Sequence, residues 1–107
     1  MKENIVREKS MLFAIRIVNL YKKLCEKKEF VMSKQVLKAG TSIGANLAEA
    51  ECAISKKEFL AKVFISLKES SETGYWLELL LRTDYITKNE FERLTFPFDS
   101  DVITFFN

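Results

Sequence analysis

The sequence predicts an all-α protein, an antiparallel up-down four-helix bundle with a shortened fourth helix, assembled into an oligomer. Three observations carry this prediction. Apolar residues recur at three- and four-residue steps along most of the chain. Only three Gly and one Pro interrupt its 107 residues. Ser55-Lys56-Lys57-Glu58 and Thr87-Lys88-Asn89-Glu90 both have the Ser/Thr-x-x-Glu form that opens a helix. A chain of this length has material for one core, so residues 1–107 read as a single domain with an irregular tail at about 95–107.

The first helix is expected from about Ile5 to Leu24, with Phe13, Ile17, Leu20 and Leu24 as its core stripe. Met11, Ala14, Val18 and Tyr21 widen that stripe to half the circumference, more than an ordinary surface helix needs. The second helix is expected from about Val31 to Ala53. Its core stripe is Val36, Ile43, Leu47, Ala50 and Ile54, and a second, small and polar stripe runs through Gln35, Ala39, Ser42, Asn46, Glu49 and Ala53. Gly40 and Gly44 each cost about 1 kcal/mol within a helix, which calls for a packing reason such as a closely approaching neighbour. Gln35, Ser42, Asn46 and Glu49 are expected to form a structural polar network with Lys62 or Tyr75, because buried polar groups require partners.

The third helix opens at Ser55 and runs to about Thr83, a rod of about 42 Å. Phe59, Val63, Ser66, Ser70, Leu77 and Leu81 form one stripe, while Ile65, Trp76 and Leu79 lie nearly opposite and Phe64 and Tyr75 fall between. A helix apolar almost all round, in a chain too short to bury it, predicts self-association. The candidate oligomer interface is Phe64, Ile65, Trp76 and Leu79. The fourth helix opens at Thr87 and stops near Phe96, because Pro97 lacks an N–H and clashes with a continuing helix. Phe96, Phe98, Phe105 and Phe106 then either fold back into the gap or leave the bundle incompletely closed.

Charge is unevenly placed. Residues 1–38 hold ten Lys/Arg against four Asp/Glu, and residues 39–107 seven against eleven, so a net +6 precedes a net −4. Lys9, Arg16 and Lys23 recur every seven residues on the first helix; Lys22, Lys27, Lys28, Lys34 and Lys38 cluster around its end and the start of the second. Cations so spaced suit phosphates, and linked copies of a weak site raise avidity. These eight residues are the candidate nucleic-acid contacts, weighed against solvated helix faces whose charges meet across the bundle. No base-reading signature accompanies them.

Other chemistries find no support. There is no histidine, so triads and the Glu-x-x-His sites of metal-binding bundles are excluded, and Glu49, Glu69 and Glu72 read as helix-face carboxylates. Gly40-Thr41-Ser42-Ile43-Gly44 lacks the Gly-Lys-Ser/Thr ending of a phosphate loop. No catalytic residue, metal or cofactor is expected. Cys25 and Cys52 form neither a Cys-x-x-Cys pair nor a disulfide framework, the charged start is unlike a secretory signal, and no segment is apolar enough to span a membrane. The cytoplasm is the expected location.

Phe13-Ala14, Leu20-Tyr21, Gly40-Thr41-Ser42-Ile43-Gly44-Ala45-Asn46-Leu47-Ala48-Glu49-Ala50 and Lys68-Glu69-Ser70-Ser71-Glu72-Thr73-Gly74-Tyr75-Trp76-Leu77 resemble the bacterial four-helix-bundle family also called the ribosomal-RNA intervening-sequence proteins. The resemblance covers about residues 5 to 94. It implies a left-handed antiparallel bundle closed into a homopentameric ring, related to the accessory protein of diversity-generating retroelements, which works with a reverse transcriptase and RNA. Family members continue helix four for several apolar turns, and this chain does not. The expected function is thus a non-enzymatic homopentameric RNA- or DNA-binding accessory protein. The alternative is a protein-interaction scaffold that binds no nucleic acid, and a purely structural oligomer is a third reading.

Overall fold

The computed structural model describes residues 2–96. Among them are four helices, α1 (Lys2–Glu26), α2 (Met32–Glu51), α3 (Lys56–Arg82) and α4 (Lys88–Glu92), and no strand. The particle measures 43 × 22 × 19 Å. Its long axis is set by α3, whose 27 residues account for about 40 Å at 1.5 Å per residue.

Each long helix buries one row at alternating four- and three-residue steps. On α1 the row is Val6, Ser10, Phe13, Ile17, Leu20 and Leu24; on α2 it is Ser33, Val36, Gly40, Ile43, Leu47 and Ala50. On α3 it is Val63, Ser66, Thr73, Leu77 and Leu80, with half-buried Phe59 and Ser70 at the same spacing. A seven-residue repeat keeps one seam turned inward along a whole helix, so three such seams enclose a continuous core.

The α1–α2 seam is tight because glycine makes it so. A Cβ at Gly40 would stand 2.8 Å from Ile17 Cγ1, and one at Gly44 would stand 2.9 Å from Ser10 Cβ. Both glycines therefore have the packing reason the sequence demanded. On the other side of α2, the buried Ser66 hydroxyl donates to the Ile43 carbonyl at 2.9 Å, and Lys62 reaches Glu49 at 2.7 Å.

α1 and α3 end within two residues of the expected Leu24 and Thr83, but the way they close is not written in the local sequence. α1 ends with Lys28 at φ 64°, its N–H donating to Cys25 O and that of Glu29 to Leu24 O. α3 ends in the same way, with Asp84 at φ 66°, its N–H bonded to Leu81 O and that of Tyr85 to Leu80 O. This double closure normally recruits glycine. The α2 start has Val31 at its cap position, which offers no side-chain acceptor. Glu29, itself buried, replaces it: its carboxylate accepts from Ser33 N at 2.7 Å and Val31 N at 3.3 Å, satisfying N–H groups a helix start leaves open.

Several expectations need correction. Ile54 is 93% exposed, because α2 stops at Glu51 and leaves Ile54 in the connection to α3. Leu80, not Leu81, is fully buried on α3, and Thr73 joins the core. α4 spans five residues, ending well short of Phe96. Its capping box closes fully, with Thr87 Oγ1 accepting from Glu90 N and Glu90 Oε1 accepting from Thr87 N. At α3 only half forms: Ser55 Oγ accepts from Glu58 N, whereas the Glu58 carboxylate faces Ile54 N at 3.4 Å, not the Ser55 N–H. Phe96 does fold back, meeting Phe13 edge-on with ring centroids 5.5 Å apart, and Leu94 and Ile86 are buried in the same core. Phe98, Phe105 and Phe106 lie outside the described residues.

Candidate nucleic-acid interface

Residues seven apart on a helix share a face, so Lys9, Arg16 and Lys23 lie along one flank of α1. That flank looks toward α4. Between them is an open groove of about 460 Å³, lined by Arg16, Asn19 and Lys23 from α1, Glu90 and Arg93 from α4 and its cap, and Leu20 and Leu94. Three cations and one carboxylate thus stand around an apolar floor. Lys23 Nζ approaches Glu90 Oε2 at 3.6 Å, and Arg16 Nη1 donates to the Arg93 carbonyl at 3.4 Å. Both contacts are long for charged groups and exposed, so each contributes little. One turn on, Lys27 Nζ donates to the Tyr85 carbonyl at 2.8 Å.

The Glu90 carboxyl is held below the ordinary carboxylate range. The Thr87 backbone N–H does most of this against an opposing push from partial burial, and the Thr87 hydroxyl and Lys23 add to it. Glu90 therefore stays charged at neutral pH, leaving the groove a net positive wall. The other candidates sit elsewhere. Lys22 and Lys28 are exposed around the end of α1, Lys34 and Lys38 are exposed on the outer face of α2, and Lys9 is half-buried.

The arrangement has counterparts among known proteins. The family model for the 23S rRNA-intervening sequence protein matches residues 2–99. This chain belongs to that family. Among solved structures, a protein of unknown function from the S23 ribosomal protein family of Bacteroides thetaiotaomicron is 55% identical, with a TM-score of 0.86 over 99% of this chain and 92% of that one. No curated protein matches.

In this 23S rRNA-intervening sequence family member, the residues expected to form one polar network divide. Lys62 and Glu49 bridge α3 and α2, and Glu49 raises the Lys62 ammonium above its ordinary range, first by hydrogen bonding and then by charge. Asn46 donates instead to Ser42 O and Ser42 to Lys38 O, each within α2. Gln35 is exposed, as is Tyr75 at 63%, its ring meeting Trp76 edge-on at 5.3 Å. Of the interface candidates, Phe64 and Ile65 are exposed. Trp76 is half-buried against its own core with its indole N–H donating to Glu72 at 3.1 Å, and Leu79 is half-buried.

The sequence reading missed Asn19, Glu90 and Arg93 as groove residues. Glu90 was visible as a cap and Arg93 three residues beyond it, which places them on one side of a helix; nothing local says that this side faces α1. Among the described residues, no three Cys, Asp or Glu gather to hold a metal, and no helix is long and apolar enough to cross a membrane.

Proposed function

We propose that the protein is a non-enzymatic homo-oligomer, an antiparallel bundle repeated around a five-membered ring, that binds structured RNA as an accessory factor in the cytoplasm. The observation that carries the RNA reading is the groove between α1 and α4, where Arg16, Lys23 and Arg93 surround an apolar floor. Guanidinium and ammonium groups meet phosphate oxygens. Lys22, Lys27 and Lys28 extend the positive field toward the same end of α1, and repetition around a ring multiplies it. The reverse pairing of Gly40 with Ile17 and Gly44 with Ser10 supports the antiparallel arrangement. Free Cys25 and Cys52 suit a reducing compartment.

Binding to a structured RNA and to duplex DNA across a salt titration tests this. RNA affinity is expected to fall steeply with salt, and Arg16→Ala with Lys23→Ala is expected to flatten the slope by about 0.9 per lost phosphate contact. Salt-independent binding, or a slope unchanged in the double variant, overturns the assignment. Equal affinity for duplex DNA replaces RNA with nucleic acid in general.

A further inference from the structure

Among the described residues, Phe30, Phe64 and Tyr75 carry exposed aromatic rings, and their surroundings differ. Phe64 shares its face of α3 with Leu60, Leu67 and Lys68, and Tyr75 stands one turn from both Glu72 and Glu78. Phe30 is not on a helix. It lies beside Val31 in the turn between α1 and α2, within a surplus of cations.

The fold makes no use of this pair. Glu29 caps α2, and Val31 at the cap position offers no acceptor. Met32 supplies the turn's contact with the core, and Phe30 is not among the half-buried residues packed there. Phe30 is 53% and Val31 72% exposed, so apolar surface is left in water with no structural gain. Around it, residues 22–38 carry six Lys against Glu26 and Glu29, a net +4. Glu29 is buried against the α2 backbone. The neighbouring elements do not reverse the field: Glu90 faces Lys23 alone, Glu78 pairs with Arg82 at 2.9 Å, Glu72 accepts from the Trp76 indole, and exposed Asp84 is offset by exposed Lys88. Lys27 meets only a carbonyl, that of Tyr85, and keeps its charge.

Lys27 follows Lys23 of the groove by one turn, so this turn extends the basic flank of α1 past the helix end. A ring interleaved with cations suits a nucleotide chain, because an unpaired base stacks on an aromatic face while its phosphates meet ammonium groups. Bases inside a duplex are already stacked on one another and present no such face. We infer that the α1–α2 turn holds an unpaired nucleotide of the RNA, its base stacked on Phe30 and its flanking phosphates on Lys28 and Lys34. This rests on the RNA reading above and names the part of the RNA that is held. A lipid surface fits less well: the cations run down the side of the molecule from Lys27 to Arg16, about 16 Å along the helix, a track for a chain and not for a flat sheet touching the tip.

Equilibrium binding to an RNA hairpin with a uridine loop, and to a blunt RNA duplex of the same stem, tests this. The wild type is expected to prefer the looped RNA. Phe30→Ala is expected to weaken that binding about 5- to 150-fold, the worth of one stacked base, with the duplex unaffected and the salt slope unchanged, because a neutral ring releases no counterions. Lys34→Ala is expected to flatten the slope instead. Phe30→Leu keeps apolar bulk without a flat face and is expected to lose as much as Phe30→Ala, for which it stands in should helicity fall. Phe30→Trp is expected to restore binding, its added emission over the wild type being quenched by the looped RNA. Full affinity in Phe30→Ala or Phe30→Leu, or an equal loss on the duplex, overturns the stacking and leaves the groove assignment standing. Capture by phosphatidylserine vesicles that Phe30→Ala abolishes, with looped-RNA binding unchanged, overturns it in favour of a lipid surface. A wild type that binds neither RNA overturns this and the groove reading together.

Discussion

Gly40 and Gly74 are the same residue in helices of the same domain, and their surroundings are opposite. At Gly40 a Cβ would press within 3 Å of two Ile17 carbons, whereas at Gly74 no described atom comes within 4 Å. A helical glycine sacrifices about 1 kcal/mol against alanine wherever it stands. What distinguishes the two is whether a neighbour occupies the space the missing carbon leaves. At the α1–α2 seam that loss is offset by close backbone approach; on the open side of α3 nothing in the described chain offsets it.

The largest effect is expected from Gly40→Ala. Ile17 is fully buried and cannot swing aside, so overpacking of about 1–3 kcal/mol outweighs the propensity gain, read as a lower urea midpoint at unchanged slope. Ile17→Ala made in that background should cost less than in the wild type, a coupling that a double-mutant cycle measures. Gly44→Ala follows in size. Its obstacle is Ser10 Cβ at 2.9 Å, an atom fixed to the backbone, and Ser10→Gly is expected to relieve it; failure of that relief would remove close approach as the reason for Gly44.

Gly74→Ala should reverse the sign. It is expected to stabilise by about 1 kcal/mol, and a loss would show that the open side of α3 is not open. Lys28→Gly and Asp84→Gly turn the comparison round by placing glycine where φ is positive; each is expected to gain about 0.5–1 kcal/mol. The smallest effect concerns the two Ser/Thr-x-x-Glu starts. The folded-state Glu90 carboxyl is depressed, so its contribution is full above the ordinary carboxylate value and lost as pH falls through the lower folded value. Amide exchange in α4 should accelerate on acidification relative to the start of α3, and Glu90→Gln should abolish the difference.

Much of the helical plan was legible because its signals are local. Phe13, Ile17, Leu20 and Leu24 declare their face by spacing, and Ser55 and Thr87 declare two starts. The ends of α1 and α3 fall within two residues of their expected places, but Lys28 and Asp84 hid how those ends close, because the motif favours glycine and its bonds reach back to the Leu24 and Leu80 carbonyls, several residues upstream. Glu29 hid as one charge in a run of charges; its role depends on a turn that folds its carboxylate back onto Ser33. Ile54 misled by continuing the apolar step one turn beyond the last helical hydrogen bonds. The α1 basic flank was readable residue by residue, but its opposite wall at Glu90 and Arg93 depends on how a five-residue helix docks, which periodicity cannot express.

That brevity also governs motion. Five residues hold scarcely more than one nucleating turn, so α4 cannot persist away from the surface it leans on, and Leu94 and Phe96 leave when it does. Each departure opens the edge of Phe13 to water and dismantles one bank of the positive groove in the same event. The stability of this last turn thus bears at once on the dryness of the core and on the integrity of the groove.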